Sequence, residues 1–492
     1  MSSISKNKIS SLNNYGKLTI LIGIILFIPV LCIIFYPEDI KYVHCYIIPS
    51  IGSILLGLLL CFFGKGYTPS PFYTVNLRSS TLIVLYAWGY SCLAGAMPFI
   101  LSGQLNFIQA LFEAVSGFTT CGLSVLDVDN CFSTMLFYRS WIQFVGGLGF
   151  VLLFLIVVND RQSMDLFNAE GHPEKLRPNL IVTARTLFKT YLIMTAFGVV
   201  GYCILGMGFF DSLNTTMTAV STGGFATHSD GVASFSNAIK LWTTLLMLMG
   251  GINMAVLIFP AKGKFKEMLN NTEFKVLNMI VLGFTAIVML ITYNTSNLSL
   301  FDNFVDSIFN VVSSITTTGD YMSSFTTIPH AKLFLYIILM VFGGSMGSTA
   351  GGLKLSRVYI SFKVWIKSIT DRMHSSRSIR YIHMYTTNGE CVISEKQQKD
   401  AVNYVGIYLL LLLLGTFGLM ITANCQLHEA LFEFTSCLST VGSSVGITAA
   451  DATVGTFIIE IVGMLLGRLE IIPIAFGLIY VSKGLKKIIN RA

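Results

Sequence analysis

The sequence predicts an all-α polytopic membrane protein: four pseudo-symmetric units of span, pore helix, filter and span around one pore, preceded by two extra transmembrane helices. Three observations predict it. The 492 residues are 53% hydrophobic and only 12% charged, where a soluble protein carries about 25% charged residues. Apolar runs of the length a membrane helix needs recur along the whole chain. Four short segments, each between two such runs, end in Thr-x-Gly and align without gaps.

The chain opens with lysines and then Leu18–Tyr36, a full span. No small-residue cleavage site follows, so it reads as a retained helix and not a signal peptide. Further spans are expected at Tyr46–Phe63, Thr81–Leu101, Leu136–Val158, Tyr191–Gly208, Leu241–Pro260 and Val276–Tyr293. Ala331–Phe342 follows, continuing beyond a glycine-rich break, then Tyr404–Thr422 and Thr456–Val481. With the N-terminus inside, segments 1–17, 65–80, 159–189, 261–275, 354–400 and 482–492 are cytoplasmic and hold 27 of the 32 Lys and Arg residues. Cytoplasmic loops carry the positive excess, so ten spans with both termini inside are expected. The net charge of +7 is then a topology signal and not a nucleic-acid patch. The rest of the chain holds 15 of the 25 acids, which would concentrate cations near an outer vestibule. Ten scattered cysteines, with no CxxC and no Cys/His cluster, argue against a metal site.

The repeated segments are QALFEAVSGFTTCG (109–122), DSLNTTMTAVSTGG (211–224), DSIFNVVSSITTTG (306–319) and EALFEFTSCLSTVG (429–442). Thr120, Thr222, Thr317 and Thr440 share one column, and Gly122, Gly224, Gly319 and Gly442 another. A Gly-Gly pair follows in the next span of three units, as Gly146-Gly147, Gly250-Gly251 and Gly343-Gly344; the fourth has Gly467-Arg468. The organisation is therefore 1–80 for the two extra helices, then units 81–186, 187–275, 276–400 and 401–492.

Each segment is too short to cross a bilayer but suits a half-helix entering from outside. Its C-terminal end carries partial negative charge, which favours a cation. A single Thr-x-Gly is accounted for by an ordinary helix C-cap. Four in register, each between spans, point to a ring of backbone carbonyls replacing an ion's hydration shell. The filter candidates are Thr120, Cys121, Gly122, Thr222, Gly223, Gly224, Thr317, Thr318, Gly319, Thr440, Val441 and Gly442, with Cys121 and Val441 contributing only carbonyls.

Between Gly343 and Gly352, five glycines, two serines and a threonine interrupt a membrane helix. Such a break is tolerated only where it is buried in protein or lines a watery cavity. It is not a Walker A loop, because Leu353 separates Gly352 from Lys354. The gate candidates are Gly344, Ser345, Gly347, Ser348, Thr349, Gly351, Gly352, Lys354 and Arg468. Arg468 has two readings: a buried ion pair with Glu460 or Glu470, or a charge just below the filter that meets the loop and repels a cation. Glu113 and Glu433 either tune cation entry or cap and pair within the pore-helix layer. His228, His330 and His428 read as surface histidines. Lys363–Asp400 is a solvated charge run and also a place where a regulatory subunit could pull on the gate; the loop 159–186 is a second docking candidate.

The four one-glycine filters, the broken helix GGSMGSTAGGLK and Arg468 together resemble the Trk/Ktr/HKT family of potassium transporters. The two extra N-terminal spans and the length are more similar to its bacterial TrkH/TrkG branch than to KtrB. The resemblance implies potassium uptake across the bacterial inner membrane through a channel-like pore, potassium being the only metal, bound by filter carbonyls. It also implies a homodimer and a cytoplasmic regulatory subunit of the TrkA type. No cofactor is expected in this chain; a nucleotide (ATP/ADP or NAD/NADH) is expected on that subunit. An intramembrane enzyme is the competing class, but no intramembrane Ser/Lys dyad, His-Glu motif or paired Asp is present. A proton- or sodium-coupled secondary cation transporter is the other alternative. Carriers of inverted repeats differ from this chain, whose four units share one polarity.

Overall fold

The computed structural model describes residues 3–64, 77–149, 180–293, 299–322, 328–373, 380–469 and 471. The chain is predominantly helical. Six helices among the described residues are long and apolar enough to cross a membrane, or seven if one bent pair is a single span. Helices α1 (Ser3–Phe27) and α2 (His44–Gly64) form an antiparallel pair. Small residues let them approach: a Cβ on Gly57 would stand 2.7 Å from the Gly16 carbonyl oxygen. Asp39, between them, accepts from Thr134 N at 2.8 Å and Thr134 Oγ1 at 2.7 Å, an acid at a helix N-terminus.

The rest is built from long helices alternating with short ones. Unit one has α3 (Leu77–Leu101), α4 (Phe107–Phe118) and α5 (Ser133–Leu148). Unit two has α6 (Leu180–Ile204), α7 (Phe209–Val220), α8 (Asn237–Gly251) and α9 (Met254–Ala261), followed by the short α10 (Phe265–Asn270). Unit three has α11 (Thr272–Tyr293), α12 (Leu300–Ile315), α13 (His330–Phe342) and α14 (Leu355–Asp371). Unit four has α15 (Glu395–Ala423), α16 (Leu427–Ser439) and α17 (Val454–Arg468). Three of the four short helices start at side-chain caps: Asn106 with Gln109, Ser299 with the Asp302 amide, and Gln426 with Glu429. Their last turns are buried throughout, as Val115–Phe118 and Ser436–Ser439 illustrate.

Three expectations about the spans change. Leu241–Pro260 is not one helix: α8 and α9 are bent by 109° at Ile252-Asn253. Asn253 caps the second piece, accepting from Ala255 N at 2.8 Å. The glycine-rich break of unit three is therefore not the sole interruption. In unit one, α5 ends at Gly149 with φ 88°, and the expected continuation to Val158 lies outside the described residues. In unit four, α17 ends at Arg468, so the arginine sits at a helix C-terminus and not in mid-helix. Its charge there faces the negative end of the helix dipole. Glu470 and the docking candidate within 159–186, up to residue 179, also lie outside the described residues.

The stretch Lys363–Asp400 is more than a charge run. It contains a hairpin of β1 (His383–Thr386) and β2 (Gly389–Val392), antiparallel with His383 opposite Val392. Ile360, Ile382, Met384, Ile393 and Ala401 form a small separate core that holds it against α14 and α15.

Candidate functional site

All four short helices end in the same way. The amide of residues Cys121, Gly223, Thr318 and Val441 donates to the carbonyl five residues back, at 2.8–2.9 Å. The amide of each preceding threonine donates three residues back, at 3.1–3.3 Å. This is the Schellman pattern, which needs a left-handed residue at the position just past the helix. Glycine normally fills it. Here Thr120, Thr222, Thr317 and Thr440 do, with φ of 56°, 54°, 54° and 52°. A left-handed β-branched residue costs about 1–2 kcal/mol. The same strain at four equivalent positions points to function, because packing alone would select glycine.

The next residue but one is the invariant glycine, again at positive φ: 94° at Gly122, 75° at Gly224, 81° at Gly319 and 103° at Gly442. A Cβ on Gly122 would fall on the carbonyl oxygen of Gly223, and one on Gly224 on that of Thr318. One on Gly319 would fall on the Val441 oxygen, and one on Gly442 on the Cys121 oxygen. The contacts run from unit one to two, three, four and back to one. They make a closed ring of main chain, in chain order, with no room for a side chain at any glycine. The four threonines are fully buried. Among the described residues, Thr120 Oγ1 and Thr440 Oγ1 have no hydrogen-bond partner.

The Gly-Gly pairs acquire a cause. A Cβ on Gly146 would fall on the Phe118 carbonyl, and one on Gly467 on the equivalent Leu438 carbonyl. A Cβ on Gly250 would stand 2.9 Å from the Val220 oxygen. The first glycine of each of these pairs thus backs onto the last turn of its own short helix. The second meets the neighbouring unit: a Cβ on Gly147 would stand 2.7 Å from Ser221 Cβ, and one on Gly251 2.6 Å from Thr316 Cγ2.

Arg468 occupies this second seat in unit four. It donates from Nη2 to the Gly146 and Gly147 carbonyls, at 2.6 and 3.0 Å, and from Nη1 to the Thr349 carbonyl at 2.7 Å. Glu460 instead accepts from Thr448 Oγ1 at 2.9 Å. The arginine therefore joins unit one to the glycine-rich loop.

That loop touches three units. Ser345 N and Thr349 N donate to the Gly251 and Gly250 carbonyls, at 2.9 and 3.2 Å. Gly347 O accepts from Met254 N at 3.3 Å, so the break in unit two receives the loop. Thr349 Oγ1 donates to Val220 O at 3.1 Å and accepts from Thr222 Oγ1 at 3.2 Å. Gly351 N donates to Thr317 Oγ1 at 2.7 Å, and a Cβ on Gly351 would meet Ser439 and Thr440. Ser348 folds back on Ser345 O at 2.6 Å, and Gly344 O accepts from Leu355 N at 2.9 Å. Gly352 and Lys354 are left-handed, φ 73° and 74°, and Lys354 Nζ donates to the Ala350 carbonyl. The loop thus lies against the left-handed threonines of units two, three and four. A small cavity remains between Gly147, Ser348, Gly351, Lys354 and Arg468.

Glu113 and Glu433 are buried staples. Glu113 accepts from Ser124 Oγ at 2.9 Å and Val125 N at 3.1 Å, eleven and twelve residues on. Glu433 repeats this with Ser444 at 2.6 Å and Val445 N at 2.9 Å. In unit three Asn310 takes the amide twelve residues on, Met322 N at 3.2 Å. Each ties the strand leaving the ring back to its short helix. The structure therefore gives these acids the pairing role of the two readings.

Three residues escaped the sequence reading. Arg139 pairs with Glu113 at 2.9 Å and donates to Ala226 O of unit two at 3.3 Å. The sequence carries a signal for it, since it is one of few basic residues outside the segments expected to be cytoplasmic. Gln143 donates to the Gly223 carbonyl at 2.6 Å and accepts from Phe225 N at 3.1 Å, gripping the ring strand of unit two. Glu273, at the start of α11, accepts from two amides flanking the loop.

A family model described as "TrkH: Cation transport protein" matches residues 53–481. An uncharacterized cation transporter of Methanocaldococcus jannaschii is 27% identical, over 93% of this chain and 93% of its own. The Trk system potassium uptake protein TrkG of Escherichia coli K12 is 27% identical, over 91% and 92%. The crystal structure of the potassium transporter TrkH from Vibrio parahaemolyticus superposes with a TM-score of 0.82 at 25% identity, covering 95% of this chain and 97% of that one.

Proposed function

This chain belongs to the TrkH family of cation transport proteins, and from that premise we propose that it takes up potassium through a channel-like pore. The closed ring of four strained Thr-x-Gly turns carries the reading. Each filter is the three-residue stretch Thr120–Gly122, Thr222–Gly224, Thr317–Gly319 or Thr440–Gly442. Their main-chain oxygens replace the hydration shell of a potassium ion. The ends of the four short helices add partial negative charge beneath it. Four units, within 81–186, 187–275, 276–400 and 401–492, surround the pore, and 1–80 stands beside them.

The loop Gly344–Lys354 is the gate. Arg468 holds it under the ring through Thr349 and sets a positive charge in the path. The protein is a homodimer in the bacterial inner membrane. A cytoplasmic TrkA-like subunit, carrying the regulatory nucleotide, opens the gate. All four units enter from one side, which favours a pore over a proton- or sodium-coupled carrier. The test is flux of potassium, rubidium, sodium and lithium into liposomes holding the purified chain. Potassium and rubidium are expected to pass in preference to sodium and lithium. Equal flux of all four, or none once the loop is removed, would defeat the reading.

A further inference from the structure

We propose that Glu273 is a latch that holds the loop closed from the cytoplasmic side, and that the hairpin β1–β2 works this latch. The proposal rests on the reading of the loop as a gate. Glu273 is 5% exposed and stands in the first turn of α11. Its Oε1 accepts from Met346 N at 3.0 Å and from Ser356 N at 3.1 Å. These amides are ten residues apart and bracket the stretch that touches the filter threonines and Arg468. One oxygen therefore pins both ends of that stretch. Ser356 is the second residue of α14, so the carboxylate also meets the positive end of that helix. Hydrogen bonds to an ionised acceptor are about twice as strong as neutral ones.

The neighbouring residue connects to the hairpin. Thr272 Oγ1 accepts from Tyr385 N of β1 at 2.9 Å. Tyr359, three residues past Ser356, donates its hydroxyl to His383 O at 3.4 Å. Strand β1 thus touches both helices that Glu273 joins, within a few residues of each end of the latch. A pull on the hairpin parts α11 from α14 at this junction and releases both loop amides together. The contacts of the loop with Gly250, Gly251 and Arg468 remain, so the release loosens the loop without unfolding it.

The test uses the full chain in liposomes, with rubidium flux and amide hydrogen exchange as paired readouts. Glu273→Ala is expected to raise basal flux about tenfold or more, the equivalent of 1.4 kcal/mol, and to speed exchange across residues 345–355. Glu273→Gln keeps an acceptor at the same reach but loses the charge, and is expected to leak less than Glu273→Asp. Glu273→Asp keeps the charge but falls short, and is expected to leak. The opposite order, with Asp closed and Gln leaking, would make the residue an ion-pair partner and overturn the latch; this comparison decides even where the Ala variant fails to insert. Coupling is reciprocal, so Thr272→Val must speed exchange across 345–355, and unchanged protection there rejects the hairpin's part. A chain lacking Ser345–Ala350 separates the two readings. If it leaks while Glu273→Ala and Glu273→Asp stay closed, the latch alone fails. If it does not leak, the gate reading fails first.

Discussion

A Cβ at Gly319 has nowhere to go. It would fall on the Val441 oxygen and within 3.1 Å of Gly442 Cα, both main chain of the neighbouring filter, at a φ of 81°. Backbone cannot swing aside as the end of a flexible side chain can. Gly319→Ser therefore displaces two of the four strands, and a carbonyl ring that coordinates the ion loses its fit. The sodium permeability relative to potassium is expected to rise about tenfold, a change of 1.4 kcal/mol in discrimination. Reversal potentials in bi-ionic conditions measure it, and an unchanged ratio in inserted protein would remove this ring from the conduction path. The threonine and glycine columns were legible because four copies repeat them, while the residues that buttress them were not. Glu113 finds its partners eleven and twelve residues on, in an ordinary Ser-Val pair. Gln143 looks like any polar residue near a helix end until it is seen on the Gly223 carbonyl. Neither spacing has a pattern that distinguishes it from a loop.

At the level of elements, the sequence announces one broken helix and conceals another. The loop of unit three has five glycines in ten residues, so backbone freedom is evident. The bend of unit two turns on a single Asn253 inside an apolar run, with no proline at the bend and no glycine excess beyond Gly250-Gly251. Its capping amide bond and the loop's Gly347 carbonyl take up the freed backbone groups, and neither is visible in one dimension. An interruption as such is thus no evidence of a gate. What distinguishes unit three is the length of its loop and its contact with the neighbouring filters and Arg468. A guanidinium about 4 Å from a permeating cation repels it by about 4 kcal/mol at an effective dielectric near 20. At 1.4 kcal/mol per tenfold that slows passage about a thousandfold. Arg468→Ala is expected to raise potassium uptake in a strain lacking other uptake systems, and to make it less dependent on a cytoplasmic partner. Uptake at or below the parental level, with insertion verified, would leave Arg468 as a tie between units and nothing more.

For the whole molecule, the ring fixes more than the filter. Its contacts pass between successive units and close from the fourth to the first, so the chain is wound once around a single axis. Each short helix ends in the same Schellman turn at the same face of the ring. One orientation in the membrane therefore settles all four, and it cannot be mixed. The ring itself does not say which face is outside, because its geometry is indifferent to inversion of the entire protein. Charge supplies the answer. Basic residues concentrate where Glu273 and the hairpin lie: Lys262, Lys264, Lys266 and Lys275 flank Glu273, and more follow the glycine-rich loop between Lys354 and Lys399. On that bias the proposed latch is expected on the cytoplasmic side and the N-termini of the four short helices outside. A cysteine introduced at the C-terminus, in a background cleared of reactive native thiols, is then expected to resist an impermeant maleimide in intact cells and to react after permeabilisation. Labelling in intact cells would invert the molecule. It would turn the filter toward the cytoplasm, put Glu273 and the hairpin outside, and leave a cytoplasmic subunit with no route to the gate.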